Sequence, residues 1–306
     1  MELRKFLMLL TIALVIILSI VVWFFPSDED FRIKNSLWNG TRDISSVIPV
    51  SPLASLSDLP SSPQGSTLIL VPYLEFTPAE LEKLHAFITQ GGTLVLADDY
   101  GFGNQILEYL GLKARFSGQV LFDPLFNYKN QWFPRIFYLT PDSVTSNITS
   151  LVFNHATSLT DIETSDVLAL SSSSSFLDLN DNQAWDRDEP AGTLPVISRH
   201  YLENGQLILI ADPSIFINSM ETMESNYTLI QNIATITTSK LLIDQSHLPS
   251  SNLQQTKNLL TSTRHFLITP GGTLGLVIVA LTITLMPIWW KKGKEGEKIE
   301  RGPERS

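Results

Sequence analysis

The stretch DLNDNQAWDRDEP at 178–190 sets Asp178, Asn180, Asn182, Asp186 and Glu189 at positions 1, 3, 5, 9 and 12 of a twelve-residue window. That is the ligand spacing of an EF-hand-type calcium loop, where side-chain oxygens and one backbone carbonyl, here that of Ala184, surround a hard cation. Gln183 stands where such loops carry a turn glycine, a replacement that costs about 1 kcal/mol. Strands rather than helices flank the window. The spacing therefore predicts an isolated structural Ca2+ loop in a strand connection, weak in the manner of extracellular modules, with a Kd on the order of 10⁻⁴–10⁻³ M. The alternative is a solvated acidic turn.

A second group of carboxylates comes from an internal echo. GGTLVLADD (91–99) and NGQLILIAD (204–212) both run from glycine through an apolar strand to Ala-Asp. Ligands of open α/β sheets sit outside the carboxyl ends of the strands. The sequence thus groups Asp98, Asp99, Tyr100, Gly101, Gly103 and Asn104 with Asp212, Ser214 and Asn218 as a ligand rim. The competing reading is that the three aspartates cap helices or shape turns.

Other chemistries find little support. The chain has no cysteine, which removes disulfides, thiolate catalysis and zinc-thiolate sites together. It contains neither G-x-S-x-G nor H-E-x-x-H, and its five histidines (85, 155, 200, 247, 265) fall in no triad context. The G-x-G at 101–103 lacks the third glycine of a dinucleotide fingerprint. Carboxylate pairs of the glycosidase kind stay open, since sequence alone does not say which acids meet in space.

The elements that must position these groups are mostly apolar strands. STLILVP (66–72) and TLVLADD (93–99) read as buried strands, and TPAELEKLHAFITQGG between them as a helix capped by Thr77, Pro78 and Glu80 and ended by Gly91-Gly92. GNQILEYLGL (103–112) and NYTLIQNIATITTSKLL (226–242) read as further helices, with a short one near 38–47. DVLALSSSS (166–174), LPVISRHYL (194–202) and QLILIAD (206–212) read as strands. The alternation predicts an α/β domain with a mostly parallel sheet and helices on both faces.

Both ends of the chain are apolar. The run from Phe6 to Phe25 is uncharged, as is that from Phe266 to Trp290, and each matches the roughly 20 residues that cross a bilayer. Arg4 and Lys5 precede the first, while Lys291, Lys292 and Lys294 follow the second, which puts both termini in the cytoplasm and the intervening domain outside. Of 21 basic and 31 acidic residues, 8 and 5 lie in these ends, leaving a net charge of −13 between them. So acidic a domain repels nucleic acid and anionic lipid. Sequons at Asn39, Asn147 and Asn226 permit glycosylation. The expected organisation is an anchor at 1–27, a Ser/Pro-rich entry segment at 28–65, the extracytoplasmic domain at 66–243, a connector at 244–265, a second span at 266–290 and a basic cytoplasmic tail at 291–306.

FTPAELEKLHAFITQGGTLVLADDYGFGNQILEYLG, SSFLDLNDNQAWDRDEP and GQLILIADPSIFIN, taken in order, resemble the domain-of-unknown-function family 4350 of prokaryotic, often archaeal, membrane proteins. The resemblance covers roughly residues 35–240. It implies a flavodoxin-like fold similar to class I glutamine amidotransferases, and company with MoxR-type ATPases and transglutaminase-like membrane proteins. The amidotransferase nucleophile is a cysteine, and this chain has none. The expectation is a non-catalytic binding or scaffolding domain, held in the lipid bilayer among envelope proteins and linked to a MoxR-type ATPase system. A carboxylate-based hydrolase and an auxiliary subunit of a transport system are the rivals.

Overall fold

Strands that are apolar along their whole length bury both faces, so they belong inside a sheet covered on either side. In the computed structural model, which describes residues 3–282, 284 and 285, such strands form the centre of an 8-stranded sheet in the unit Pro26–Ser251. In chain order its strands are β1 (Ser51–Leu53), β2 (Thr67–Leu70), β3 (Thr93–Ala97), β4 (Tyr138–Leu139), β5 (Val167–Leu170), β6 (Pro195–Leu202), β7 (Gly205–Ile210) and β8 (Leu241–Asp244). The spatial order is β1-β8-β2-β3-β7-β6-β5-β4. Pairing is parallel from β1 through to β7 and antiparallel from β7 to β4. Every residue of β2, β3 and β8 is buried.

The helices of this unit are α1 (Arg42–Val47), α2 (Pro78–Thr89), α3 (Asn104–Tyr109) and α4 (Asn226–Ile236). The capping signal before α2 forms as written. Thr77 and Glu80 exchange side-chain and backbone hydrogen bonds, and Leu81, Leu84, Phe87 and Ile88 go into the core. The echoing strands β3 and β7 lie side by side in register, from Thr93 beside Gln206 to Ala97 beside Ile210.

The sheet is mostly parallel at its centre, as expected, and antiparallel beyond β7, because β6 and β7 form a hairpin closed by Glu203, at φ 50°, and Asn204. Two expectations change. The helix expected over 226–242 stops at Ile236. There the Thr237 hydroxyl turns to Ile233 O (2.9 Å) and Thr67 Oγ1 (2.7 Å), and Leu241–Asp244 becomes a strand. The entry segment, expected to lie apart at 28–65, belongs to the α/β unit and supplies edge strand β1.

The other unit joins residues up to Phe25 with those from Asn252 onward. Its helix Leu3–Phe24 is long and apolar enough to cross a membrane. The second span, expected as one run from Phe266, is interrupted: the helix Asn252–Ile268 is followed, after an 86° bend, by Pro270–Thr282. Thr269 caps the new helix, its hydroxyl accepting from Gly272 N at 3.1 Å, with Pro270 at the first position. Trp289, Trp290 and the basic tail at 291–306 lie outside the described residues.

Where β7 begins, Gly205 packs directly on the end of α2, and an added Cβ would lie 2.0 Å from Ile88 O and 2.4 Å from Gly92 O. Both obstacles are backbone. Gly205→Ala is expected to lower unfolding free energy by about 1–3 kcal/mol, measured by denaturation of the detergent-solubilised chain. A loss below about 0.5 kcal/mol would contradict this packing.

Candidate functional site

Strands β2, β3 and β7 are parallel neighbours, so the segments that leave their carboxyl ends share one rim. Asp98, just past β3, is buried, and its carboxylate accepts from the backbone N–H of Tyr100 (2.9 Å), Gly101 (3.1 Å) and Gly103 (2.6 Å). Burial pushes this carboxyl up, and the three N–H groups pull it back only in part. Asp212, past β7, is wholly buried and accepts from Ser214 N (2.8 Å) and Asn154 N (2.6 Å). Burial raises its carboxyl well above the ordinary range. Both aspartates therefore shape turns.

Other rim candidates act the same way. Asn104 exchanges hydrogen bonds with the backbone of Phe116 (2.8 and 2.9 Å). Asn218 holds Leu37 O (2.6 Å) and Asn35 O (3.2 Å) and accepts from Asp43 N (3.0 Å), which fixes the entry segment. Gly101, at φ +90°, and Gly103 provide the tight turn around Asp98.

Asp99 differs. With Tyr100 and Ser214 it lines a cavity of about 170 Å³, and no hydrogen bond from another residue reaches its carboxylate among the described residues. Burial, and then the charge of Asp98, push this carboxyl up to about 7. The remaining walls were not foreseen. Asp30, Phe31, Trp38 and Asn39 come from the entry segment, Tyr73 from the end of β2, and Asn154, His155 and Ile217 from later loops. Phe31, Tyr73, Tyr100 and Phe102 form a chain of rings with centroids 5.7–6.4 Å apart. Burial, then Asp99, Tyr100, Asp30 and Asp98, push the Tyr73 hydroxyl far above its ordinary value. His155 has a left-handed backbone (φ 54°), packs against Trp132 with ring centroids 4.3 Å apart and planes tilted by 32°, and is held below its ordinary value by burial. Among the described lining residues there is no lysine or arginine.

In the 178–189 loop, Asp178 accepts from the N–H of Asn180 (3.3 Å), Asn182 (3.2 Å) and Gln183 (2.7 Å). Glu189 accepts from Leu179 N (2.7 Å) and Asp186 N (2.9 Å). The amides of Asn180 and Asn182 both donate to Asp186, at 2.8 and 2.7 Å. Among the described residues, no three acidic or imidazole side chains converge as a metal site. Of the sequons, Asn39 and Asn226 are buried and their amides are engaged, Asn226 with Val152 O (2.8 Å) and Met220 O (2.9 Å) and Asn39 with Asp28 O (3.0 Å). Neither has room for a glycan in the folded domain, whereas Asn147 is exposed.

The fold and site define a class: a mixed α/β domain with an acidic, aromatic-walled cavity where its parallel strands end. The chain belongs to the family described as Domain of unknown function (DUF4350), whose model matches residues 35–234. No curated protein matches it. Among solved structures, the mmIFT52 N-terminal domain is similar at 14% identity and a TM-score of 0.42, covering 59% of this chain and 76% of that one. A β-galactosidase from Bacillus circulans sp. alkalophilus is similar at 17% and 0.37, covering 57% of this chain and 23% of the enzyme. A ThuA-like protein from Bacteroides uniformis follows at 16% and 0.34, covering 60% and 74%.

The Asp99 carboxyl is expected to titrate with a midpoint of about 7 in a ¹³C NMR experiment. Because its folded value lies above the ordinary 3.8, the folded state holds the proton longer than the unfolded chain. Stability then falls as pH rises from about 4 to 7 and is level above that. Asp98 and Asp212, also raised by burial, add falls of their own, so Asp99→Asn should remove only the share of Asp99 and stabilise the domain at pH 8 by on the order of 2 kcal/mol, with no difference at pH 3.5. A midpoint near 4 would contradict the placement of Asp99.

Proposed function

We propose that this protein is a membrane-anchored, extracytoplasmic binding domain that serves as a scaffold in an envelope complex rather than turning over a substrate. The observation that carries this reading is the strand-end cavity: its one unpaired carboxylate faces aromatic walls, while the neighbouring aspartates are committed to turns. The flavodoxin-like layering belongs to the proposal. Its support is that the β2-α2-β3 and β7-α4-β8 crossovers run in opposite directions across the sheet, which under the right-handed rule sends the two helices to opposite faces. The anchor is Leu3–Phe24, and the apolar segment from Pro270 makes the second span, with both termini cytoplasmic. Linkage to a MoxR-type ATPase rests on the family resemblance alone, as does an auxiliary role in transport.

One observation favours a hydrolase as the second reading. Asp99 lines a cavity, and its carboxyl, pushed up to about 7 by burial and the Asp98 charge, has the proton affinity of a general acid at neutral pH. Calcium remains a proposal for the 178–189 loop. Gln183, at φ 61° and donating to Asp178, takes the left-handed conformation that position 6 of such a loop needs. Calorimetric titration should give millimolar or tighter calcium binding that Asp186→Ala and Glu189→Ala both abolish. Absence of heat in the parent chain would leave an acidic turn.

The cysteine-free chain suits a direct topology test. Lys129→Cys, in an exposed loop, should react with a membrane-impermeant maleimide on intact cells, and crosslinking from it should capture an envelope partner. Labelling only after lysis would overturn the extracytoplasmic placement.

A further inference from the structure

We infer that the strand-end cavity binds a small organic ammonium group, a protonated amine or its methylated form, with Asp99 as counter-ion and the surrounding rings as walls. The inference deepens the binding-domain reading and rests on it. Three observations carry it. First, the Asp99 carboxylate faces the cavity without a hydrogen-bond donor from another described residue, although it is largely shielded from bulk water. A shielded carboxylate without a partner is costly, and a bound cation is the direct compensation.

Second, the local field has one sign. Asp30 lines the same cavity, Asp98 lies behind Asp99, and among the described lining residues no lysine or arginine opposes them. Third, the walls are aromatic. Phe31, Tyr73 and Tyr100 are linked ring to ring at 5.7 and 6.0 Å, and Trp38 and Tyr100 remain largely exposed at the mouth. Aromatic faces attract cations electrostatically within about 6 Å of the ring centroid, and such walls around a carboxylate select ammonium ions.

A bare metal ion fits less well. Calcium takes six to eight oxygen ligands, and no three acidic or imidazole side chains converge here among the described residues. The cavity of about 170 Å³ is small beside the roughly 300–1,000 Å³ of drug-sized ligand sites. It has room for a head group, with the remainder of the ligand projecting past Trp38 and Tyr100.

The test is calorimetry, with tryptophan fluorescence alongside, on the detergent-solubilised full chain. The probes are n-butylammonium for primary amines, choline for quaternary ones, and 3,3-dimethylbutan-1-ol as the neutral isostere of choline. Saturable binding of at least one cation, at least about tenfold tighter than the neutral alcohol, is expected. Trp38→Leu should weaken it about tenfold while keeping the parent's melting behaviour, and Asp99→Asn should weaken it about tenfold while melting no lower than the parent. Equal binding of choline and its isostere, or cation binding unchanged in Asp99→Asn, would overturn the inference. So would no binding of any probe, but if impermeant labelling and a crosslinked partner still hold, only the ammonium assignment falls. Labelling from the cytoplasmic side alone would remove the broader reading whatever the probes do.

Discussion

Three strands of the parallel core end on buried aspartates whose carboxylates turn back to accept main-chain N–H groups, and the geometry of the rim depends on them. Asp98 takes three amides after β3, and Asp212 takes two after β7. Asp244, the last residue of β8, accepts from Ser246 N (3.2 Å) and His247 N (3.0 Å) and from the His247 imidazole (3.0 Å). Burial opposes ionisation at all three. Only at Asp244 do the hydrogen bonds of His247 and Ser246 prevail and hold the carboxyl below its ordinary value. A buried amide without a partner costs about 1–3 kcal/mol, so each of these carboxylates fixes a turn that the sheet alone would leave open.

That constraint places everything the cavity uses. The turn wound around Asp98 delivers the next residue, Asp99, to the cavity wall, beside a like charge that raises its proton affinity. The turn at Asp212 brings Ser214 and Ile217 to the same cavity. The remaining wall is the entry segment, held by amide side chains rather than by regular structure. Asn35 bridges Glu29 O (2.8 Å) and Asn39 Oδ1 (3.0 Å), and Asn218 reaches across to Leu37 O. Phe31 and Trp38 thereby become part of the site although no strand or helix carries them.

The central strands β2, β3, β6 and β7 and the aspartates Asp98, Asp99 and Asp212 that follow two of them were readable because apolar runs, capping residues and the Ala-Asp echo are local signals. Thr77 through Gly91 specify α2 almost residue by residue. The sequence could not separate a carboxylate that caps a turn from one that lines the cavity. Asp98 and Asp99 are adjacent and chemically identical, and only the direction of the turn divides them. Nor does a Ser/Pro-rich stretch show that Asp30, Phe31 and Trp38 fold back onto the sheet, since that depends on contacts with Asn218 and Gln245 far along the chain. Tyr73 was within reach, because the strand before it was recognised and the residues just past a parallel strand are the rim. The Glu203-Asn204 hairpin and the Thr269-Pro270 cap were also written in the sequence, as turn and helix-start chemistry overshadowed by the apolar runs beside them.

The central claim is a division of labour among neighbouring acids: Asp98, Asp212 and Asp244 hold the fold, and Asp99 is free for a ligand. Its most direct test is the unfolding free energy of four alanine variants of the full chain, measured side by side at pH 7. Asp98→Ala, Asp212→Ala and Asp244→Ala should each lose about 2–4 kcal/mol through unpaired buried amides, while Asp99→Ala should stay within about 1 kcal/mol of the parent or exceed it. Equal losses at all four positions, or none at the first three, would contradict the account.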